Sequence, residues 1–236
     1  MALTPEILSE LKGRGFLQNR NGETFSARLL TVNGIVSSET LEAVAEAARR
    51  FGNGKTGLTS RMTFEIWGIK YENIEPLTAF LAKHGLETGG TGPKVRPITA
   101  CKGTVCKHGL YDTVEFAARL HEIYYKGWRD VKLPHKFKIG CGGCPNNCIK
   151  PALNDMGFVG MSKGERPIAC FIGGRYGKSW RQGDRLEGLY TEDEAIKLVK
   201  IVLDYYLANG QPKERLASMV ERIGFEKVQA DILAKL

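Results

Sequence analysis

The chain has no run of about 18 apolar residues, so no membrane-crossing helix is expected. Its start, Met1-Ala-Leu-Thr-Pro5, lacks the basic and then apolar pattern of a secretory leader, which makes the cytoplasm the expected location. There is no internal repeat, no low-complexity stretch and no heptad pattern. Basic residues outnumber acidic ones, for a net charge of +8, yet they form no run, no single helical stripe and no Arg-rich tail. No recognisable nucleic-acid motif accompanies them, so nucleic acid is not the expected partner. A phosphate-binding loop is also missing. Gly173-Gly-Arg-Tyr-Gly177-Lys178-Ser179 invites the comparison, but Ile172 stands where the first glycine would be needed.

What is present is an ordinary globular composition, 42% apolar and 25% charged over 236 residues, enough for one large domain or two small ones. Six cysteines in a chain read as cytoplasmic point to metal or redox chemistry rather than a disulfide framework. The surplus positive charge suits an interior pocket for an anionic cofactor and substrate.

The pattern predicts an N-terminal helix over residues 4–13, with Thr4 as cap and Pro5 at its first position. A strand over 25–32 ends at the Asn33-Gly34 turn, and helix 38–50, strand 63–67 and helix 73–84 follow. That order suits a ferredoxin-like half-domain over residues 1–92. The segment 86–97, with Gly89, Gly90, Gly92, Pro93 and Pro97, is the best linker. A second domain over 93–236 is expected to hold a helix at 110–125 and a β segment at 136–140. Strands at 157–161 and 168–172 and a helical tail complete it. Thr191 and Glu194 form a capping box for the tail's first helix. The fold class is α+β.

The cysteines carry the chemistry. One pair is Cys101-Lys-Gly-Thr-Val-Cys106, and the other lies in Cys141-Gly-Gly-Cys144-Pro145-Asn-Asn-Cys148. Such spacing suits a structural zinc ion, but Cys141, Cys144 and Cys148 then compete for two places. Glycines let backbone N–H groups approach sulfur, and a proline after a ligand cysteine recurs in iron–sulfur loops. Spacing alone leaves zinc and cluster both open. Cys170, in an apolar strand, reads as core.

Lys136 and Lys138 alternate onto one strand face just before the second cysteine loop. Taken alone they read as a solvated edge. Arg28 lies inside a strand, where an arginine usually snorkels or pairs with a carboxylate. Arg61 follows Thr59-Ser60.

Together these residues resemble the sulfite and nitrite reductases that carry sirohaem coupled to a [4Fe–4S] cluster. Cys144-Pro-Asn-Asn-Cys148 resembles that family's Gly-Cys-Pro-Asn-x-Cys motif, and Lys136-Phe-Lys138 its Lys-Phe-Lys strand. Thr59-Ser60-Arg61 is similar to its Thr-Thr-Arg segment, and Arg28 to an arginine preceding a Gly-Gly turn. Met156-Gly-Phe-Val-Gly160 and Ile172-Gly-Gly-Arg175 resemble a further strand and a glycine stretch that contacts sirohaem. The likeness runs from about residue 25 to 180. The chain departs from the large members in its C-x4-C first pair, its extra Cys141, its single repeat and its lack of an inserted C-x2-C-x2-C module.

The resemblance implies a sirohaem and [4Fe–4S] domain, with a helical tail, after the ferredoxin-like half. It implies Cys101, Cys106, Cys144 and Cys148 as cluster ligands, with Cys148 bridging to the sirohaem iron. Arg28, Arg61, Lys136 and Lys138 would surround the bound oxyanion. Arg96 and Arg175 would pair with sirohaem carboxylates, with Asn147 nearby. The implied activity is six-electron reduction of sulfite to sulfide. Nitrite reduction to ammonia, and a sirohaem or cluster redox protein without turnover, are the alternatives. A zinc-stabilised binding protein is the reading outside this class. The implied partners are a small anionic substrate, an external electron donor such as ferredoxin, and a second copy of the chain in a homodimer. No membrane partner is expected.

Overall fold

The computed structural model describes residues 3–236. Cα proximity divides the chain into two compact units, Met1–Gly92 and Pro93–Leu236.

In the first unit, α1 (Pro5–Gly13) starts where the Thr4 hydroxyl accepts from Ile7 N at 3.4 Å. Proline fits the first turn because its missing N–H has no intrahelical partner there. Then come β1 (Phe16–Gln18), β2 (Thr24–Leu29), α2 (Ser38–Phe51), β3 (Thr56–Leu58), β4 (Phe64–Lys70) and α3 (Ile74–Lys83). The sheet order is β1-β2-β4-β3, antiparallel throughout. Phe16, Phe25, Leu29, Ile66 and Ile69 of the sheet share a buried core with Val44, Ala47 and Ala48 of α2 and Ile74, Leu77 and Leu81 of α3. This is the expected ferredoxin-like arrangement.

Two expectations shift. The strand expected over 25–32 stops at Leu29, because Leu30 N turns away to bond Glu87 O at 2.9 Å. Asn33 and Gly34 form a separate tight turn, bridged by Val32 and Ile35, with φ of 61° and 75°. Asparagine and glycine are the residues that tolerate such left-handed backbone. The short edge strands β1 and β3 were not anticipated. Three residues are too few to show an alternating pattern.

The second unit holds β5 (Thr99–Ala100), α4 (Thr113–Leu120), β6 (Ile139–Gly142), β7 (Met156–Gly160), β8 (Ile168–Ile172), β9 (Asp184–Arg185), α5 (Glu192–Asn209), α6 (Leu216–Ile223) and α7 (Phe225–Leu233). Its mixed sheet runs β5-β6-β7-β8-β9, parallel from β5 to β7 and antiparallel from β7 to β9. Every residue of β6 and β7 is buried, as expected for central strands covered on both faces. The helix expected from 110 begins instead at Thr113. Asp112 Oδ1 caps it there, accepting from Val114 N at 3.1 Å and Glu115 N at 3.0 Å. It then widens into a π-helical turn over His121–Lys126. The Thr191–Glu194 capping box is formed at the start of α5.

Phe158 of β7 sits at the centre of this sheet and is fully buried, with Phe116 of α4 edge-on to it at 5.1 Å. Removing a ring from such a position costs its transfer energy and leaves a cavity. Phe158→Ala is expected to destabilise the protein by about 3–5 kcal/mol in chemical denaturation.

Candidate metal centre

The second unit brings the two cysteine loops together. Ala100 of β5 is in register with Cys141 of β6, and Cys101 N donates to Cys141 O at 3.0 Å. Just beyond the strand, Gly143 N donates to Cys101 Sγ at 3.1 Å. Gly143 O accepts from Leu110 N at 2.9 Å, which ties the segment after Cys106 to the residue before Cys144. Approach this close needs glycine. A Cβ on Gly143 would lie 3.0 Å from Gly103 Cα and 3.4 Å from Cys101 Sγ.

Cys101, Cys106 and Cys144 are half-buried and Cys148 is exposed. Cys141 and Cys170 are fully buried, on strands either side of Phe158 and in register with it. Burial pushes the Cys170 thiol well above its ordinary pKa, and the nearby Cys141 adds to that push. Both behave as core residues. Among the described residues, no three His, Cys, Asp or Glu side chains stand close enough to hold a metal ion. In a cuboidal cluster each thiolate would bind a different iron. The backbone N–H on Cys101 Sγ and the glycine approach fit such a cluster, whose thiolates accept hydrogen bonds.

The cations gather at the other end of β6. The β segment expected over 136–140 is displaced: β6 starts at Ile139, runs through Cys141, and is preceded by an isolated parallel bridge between Phe137 and Val95. The backbone of Lys138 is used elsewhere, its N–H donating to Asp155 Oδ2 at 2.9 Å and its carbonyl accepting from Met156 N at 3.0 Å. Phe137 is buried while Lys136 and Lys138 on either side are half-exposed, so the expected alternation holds. Arg96 N bonds Phe137 O at 2.8 Å, which sets Arg96 beside the two lysines. The four residues of β6, about 13 Å of strand, and Gly143 lie between Lys138 and Cys144. Their backbones thus lie at opposite ends of β6.

Desolvation, then the charges of Arg215 and Arg96, hold the Lys136 ammonium below its ordinary pKa; Asp155 opposes them. Asp155 is the counter-charge. It is fully buried and takes a forked contact from Arg215, with Nη2 2.9 Å from both carboxylate oxygens. Burial raises its carboxyl pKa, while Arg215 and the Lys138 N–H pull it down. Neither Asp155 nor Arg215 was singled out in the sequence. Asp155 does stand out as a lone carboxylate beside an apolar strand, and that signal was available.

The other candidates fall in different places. Arg175, after β8, bonds Ser218 Oγ of α6 at 3.0 Å and lies 3.9 Å from Glu221. Asn147 is exposed with φ of 57°, so the backbone alone explains asparagine there. In the first unit, Arg28 of β2 is in register with Glu65 of β4 and bonds its Oε1 through Nε at 2.9 Å and Nη2 at 2.6 Å. This is the carboxylate pairing that an arginine inside a strand invites. Arg61 lies in the β3–β4 turn, with its N–H donating to Thr59 Oγ1 at 3.2 Å.

The comparisons with known proteins agree with this geometry. The nitrite and sulphite reductase 4Fe-4S domain matches residues 91–236, and the nitrite/sulfite reductase ferredoxin-like half domain matches residues 17–84. The chain belongs to the nitrite and sulfite reductase family and is an oxidoreductase of the class acting on sulfur or nitrogen oxyanions, with an iron–sulfur domain. It is 30% identical over 222 residues to an assimilatory-type sulfite reductase of Nitratidesulfovibrio vulgaris, covering 93% of this chain and 97% of the relative. It is also 28% identical over 223 residues to the large subunit of the NADH nitrite reductase of Escherichia coli, covering 25% of that protein. The fold matches that of Mycobacterium tuberculosis NirA with a TM-score of 0.84 at 16% identity, over 99% of this chain and 47% of that one. Among the described residues, no helix is long and apolar enough to cross a membrane.

His135 yields a pH prediction. Its Nδ1 accepts from Lys136 N at 2.7 Å, and desolvation, then Arg215, Lys136 and Arg96, hold its pKa below the ordinary value. The unfolded chain therefore takes up a proton near pH 6.5 that the folded chain refuses. Stability is expected to fall as pH drops below about 6.5, and the melting temperature of His135→Gln should fall less steeply between about pH 7 and about pH 5.5.

Proposed function

We propose that the protein reduces sulfite to sulfide in six electrons, at a sirohaem iron coupled to a [4Fe–4S] cluster. The observation that carries this is the pair of cysteine loops stitched together through Gly143 and Cys101, in a chain of the same length class as the assimilatory-type relative. Nitrite reduction to ammonia at the same site is the second reading, favoured by the nitrite reductases among the relatives.

Cys101, Cys106, Cys144 and Cys148 would hold the cluster. Cys148 is the exposed one of the six cysteines, which leaves its sulfur accessible to a second metal. Arg96 and Arg175, with Asn147 nearby, would meet the carboxylates of sirohaem. When bound, the two groups supply an open coordination position and a close store of electrons. The protein's own task is charge and protons. Lys136, Lys138 and Arg61 would neutralise the oxyanion, and Arg28, already matched by Glu65, would contribute less. Lys136, with its pKa held down, gives up a proton more readily than an exposed lysine and would protonate departing oxygen. The electron donor would be an external acidic carrier such as a ferredoxin, facing the exposed Lys102, Lys107 and Lys150 beside the cysteines.

A homodimer would join the two halves of the site. The lysines and Cys144 sit at opposite ends of β6, so each site would take cations from one chain and cysteines from its partner about a twofold axis.

Spectra, turnover and chain mixing test these readings. Purified protein from a host that makes sirohaem should be coloured, and reduced-dye oxidation with sulfite and nitrite side by side should show which is turned over. Lys136→Met and Lys138→Met should each lower turnover on the order of 10²–10³-fold and leave the spectrum nearly intact; stoichiometric zinc in place of iron, or undiminished turnover in both variants, would sink the proposal. For the dimer, Lys136→Met/Lys138→Met chains mixed with Cys148→Ser chains should recover part of the activity. A fully active monomer removes the shared site.

A further inference from the structure

Tyr111 sits directly after Leu110, whose N–H is bonded to Gly143 O between the two cysteine loops. Its ring is buried and packs edge-on against Phe116 at 5.6 Å, and Phe116 in turn packs on Phe158. Phe158 is in register with Cys141 on one side and Cys170 on the other. The Leu110–Gly143 and Gly143–Cys101 hydrogen bonds and this ring packing hold Tyr111 beside the cysteine loops. The hydroxyl is sealed from solvent and, among the described residues, has no hydrogen-bond partner. Burial first, then the nearby Cys141, Cys101, Cys170 and Glu192, push its pKa well above the ordinary value.

An orphaned buried hydroxyl is costly, and each one in a folded protein needs a reason. A phenol is protonated at neutral pH, so this one has a hydrogen to give. Cys141 and Cys170 are buried thiols, which are weak acceptors when neutral. A sulfur that carries negative charge is a far better one. Of the three cysteines, Cys101 is the one in the ligand set, and it already accepts Gly143 N–H.

We propose that Tyr111 donates its hydroxyl to anionic sulfur of the cluster at the Cys101 corner and so raises the reduction potential of that cluster. This rests on the cluster reading above. Tyr111 is a positioning residue here, because it touches neither oxyanion nor haem iron. The effect follows from charge. Each electron added makes the cluster more negative, and a donor aimed at its sulfur stabilises the reduced form more than the oxidised one. Gly143 N–H supplies one such donor and the Tyr111 hydroxyl a second, from a side chain that can be altered without touching the loops.

The test is an EPR-monitored redox titration of the holoprotein and of Tyr111→Phe, with iron counted in both. Phenylalanine keeps the ring against Phe116 and removes only the oxygen. The variant should keep full iron content and become harder to reduce. Its reduced-to-oxidised ratio at a fixed potential should fall roughly tenfold, about 59 mV for a one-electron couple. Tyr124→Phe is the control, since it deletes another buried hydroxyl, bonded to Ile196 O at 2.7 Å and not acted on by any cysteine. Its potential should match that of the unaltered protein. An unchanged potential in Tyr111→Phe at full iron content overturns the role of Tyr111 and leaves the cluster reading standing. An equal shift in Tyr124→Phe overturns it too. An unaltered protein without cluster iron overturns both.

Discussion

A fully buried carboxylate must be paired, and in the second unit that carboxylate is Asp155. Its side chain takes the fork of Arg215, just before α6, and the backbone N–H of Lys138, just before β6. Its own carbonyl accepts Gly173 N at 2.9 Å, after β8. One residue thus fixes the entry to β6, the exit from β8 and the start of α6. The same helix supplies Ser218 and Glu221 to Arg175. The helical tail is not an appendage; it holds the backbone and arginines around the cation end of the sheet. Removing Arg215 would leave a buried charge without its partner, a far larger penalty than the loss of an exposed ion pair.

The surplus of positive charge follows the same division. Arg28, Arg181, Arg215 and Arg222 are matched by carboxylates, Glu65, Asp184, Asp155 and Glu214. Lys136 is crowded by Arg215 and Arg96, with Asp155 as its opposing charge. A like-charged group held this way lowers the cost of binding an anion, because the repulsion is already present before the anion arrives. At the opposite end of β6 the chemistry changes to sulfur and glycine.

Long elements were legible in the sequence because periodicity is a local property. The helices α1 and α2, strand β8 and the capping box of α5 lie where pattern and caps indicated. The shifts came from partners distant in sequence. β2 ends where Glu87 captures Leu30 N, and β6 starts late because Asp155 takes Lys138 N. The two-residue strands β5 and β9 exist only as pairings with neighbours.

By itself the sequence determined the family. The cysteine spacing, the Lys136-Phe-Lys138 alternation and the order of glycine motifs are features of consecutive residues, and the 4Fe-4S domain match spans them all. Cys170 was legible as core from its apolar strand, but only the tertiary structure decided that Cys141 is core as well. Burial depends on what packs above a strand, and Cys141 differs from Cys144 in position, not in kind. It also decided that Arg28 is bound to Glu65 and that Tyr111 ends beside the cysteines. Those partners lie 37 residues away in one case and on separate strands in the other. Contacts across such separations are fixed by sheet register and by the packing of the core, which no local pattern encodes.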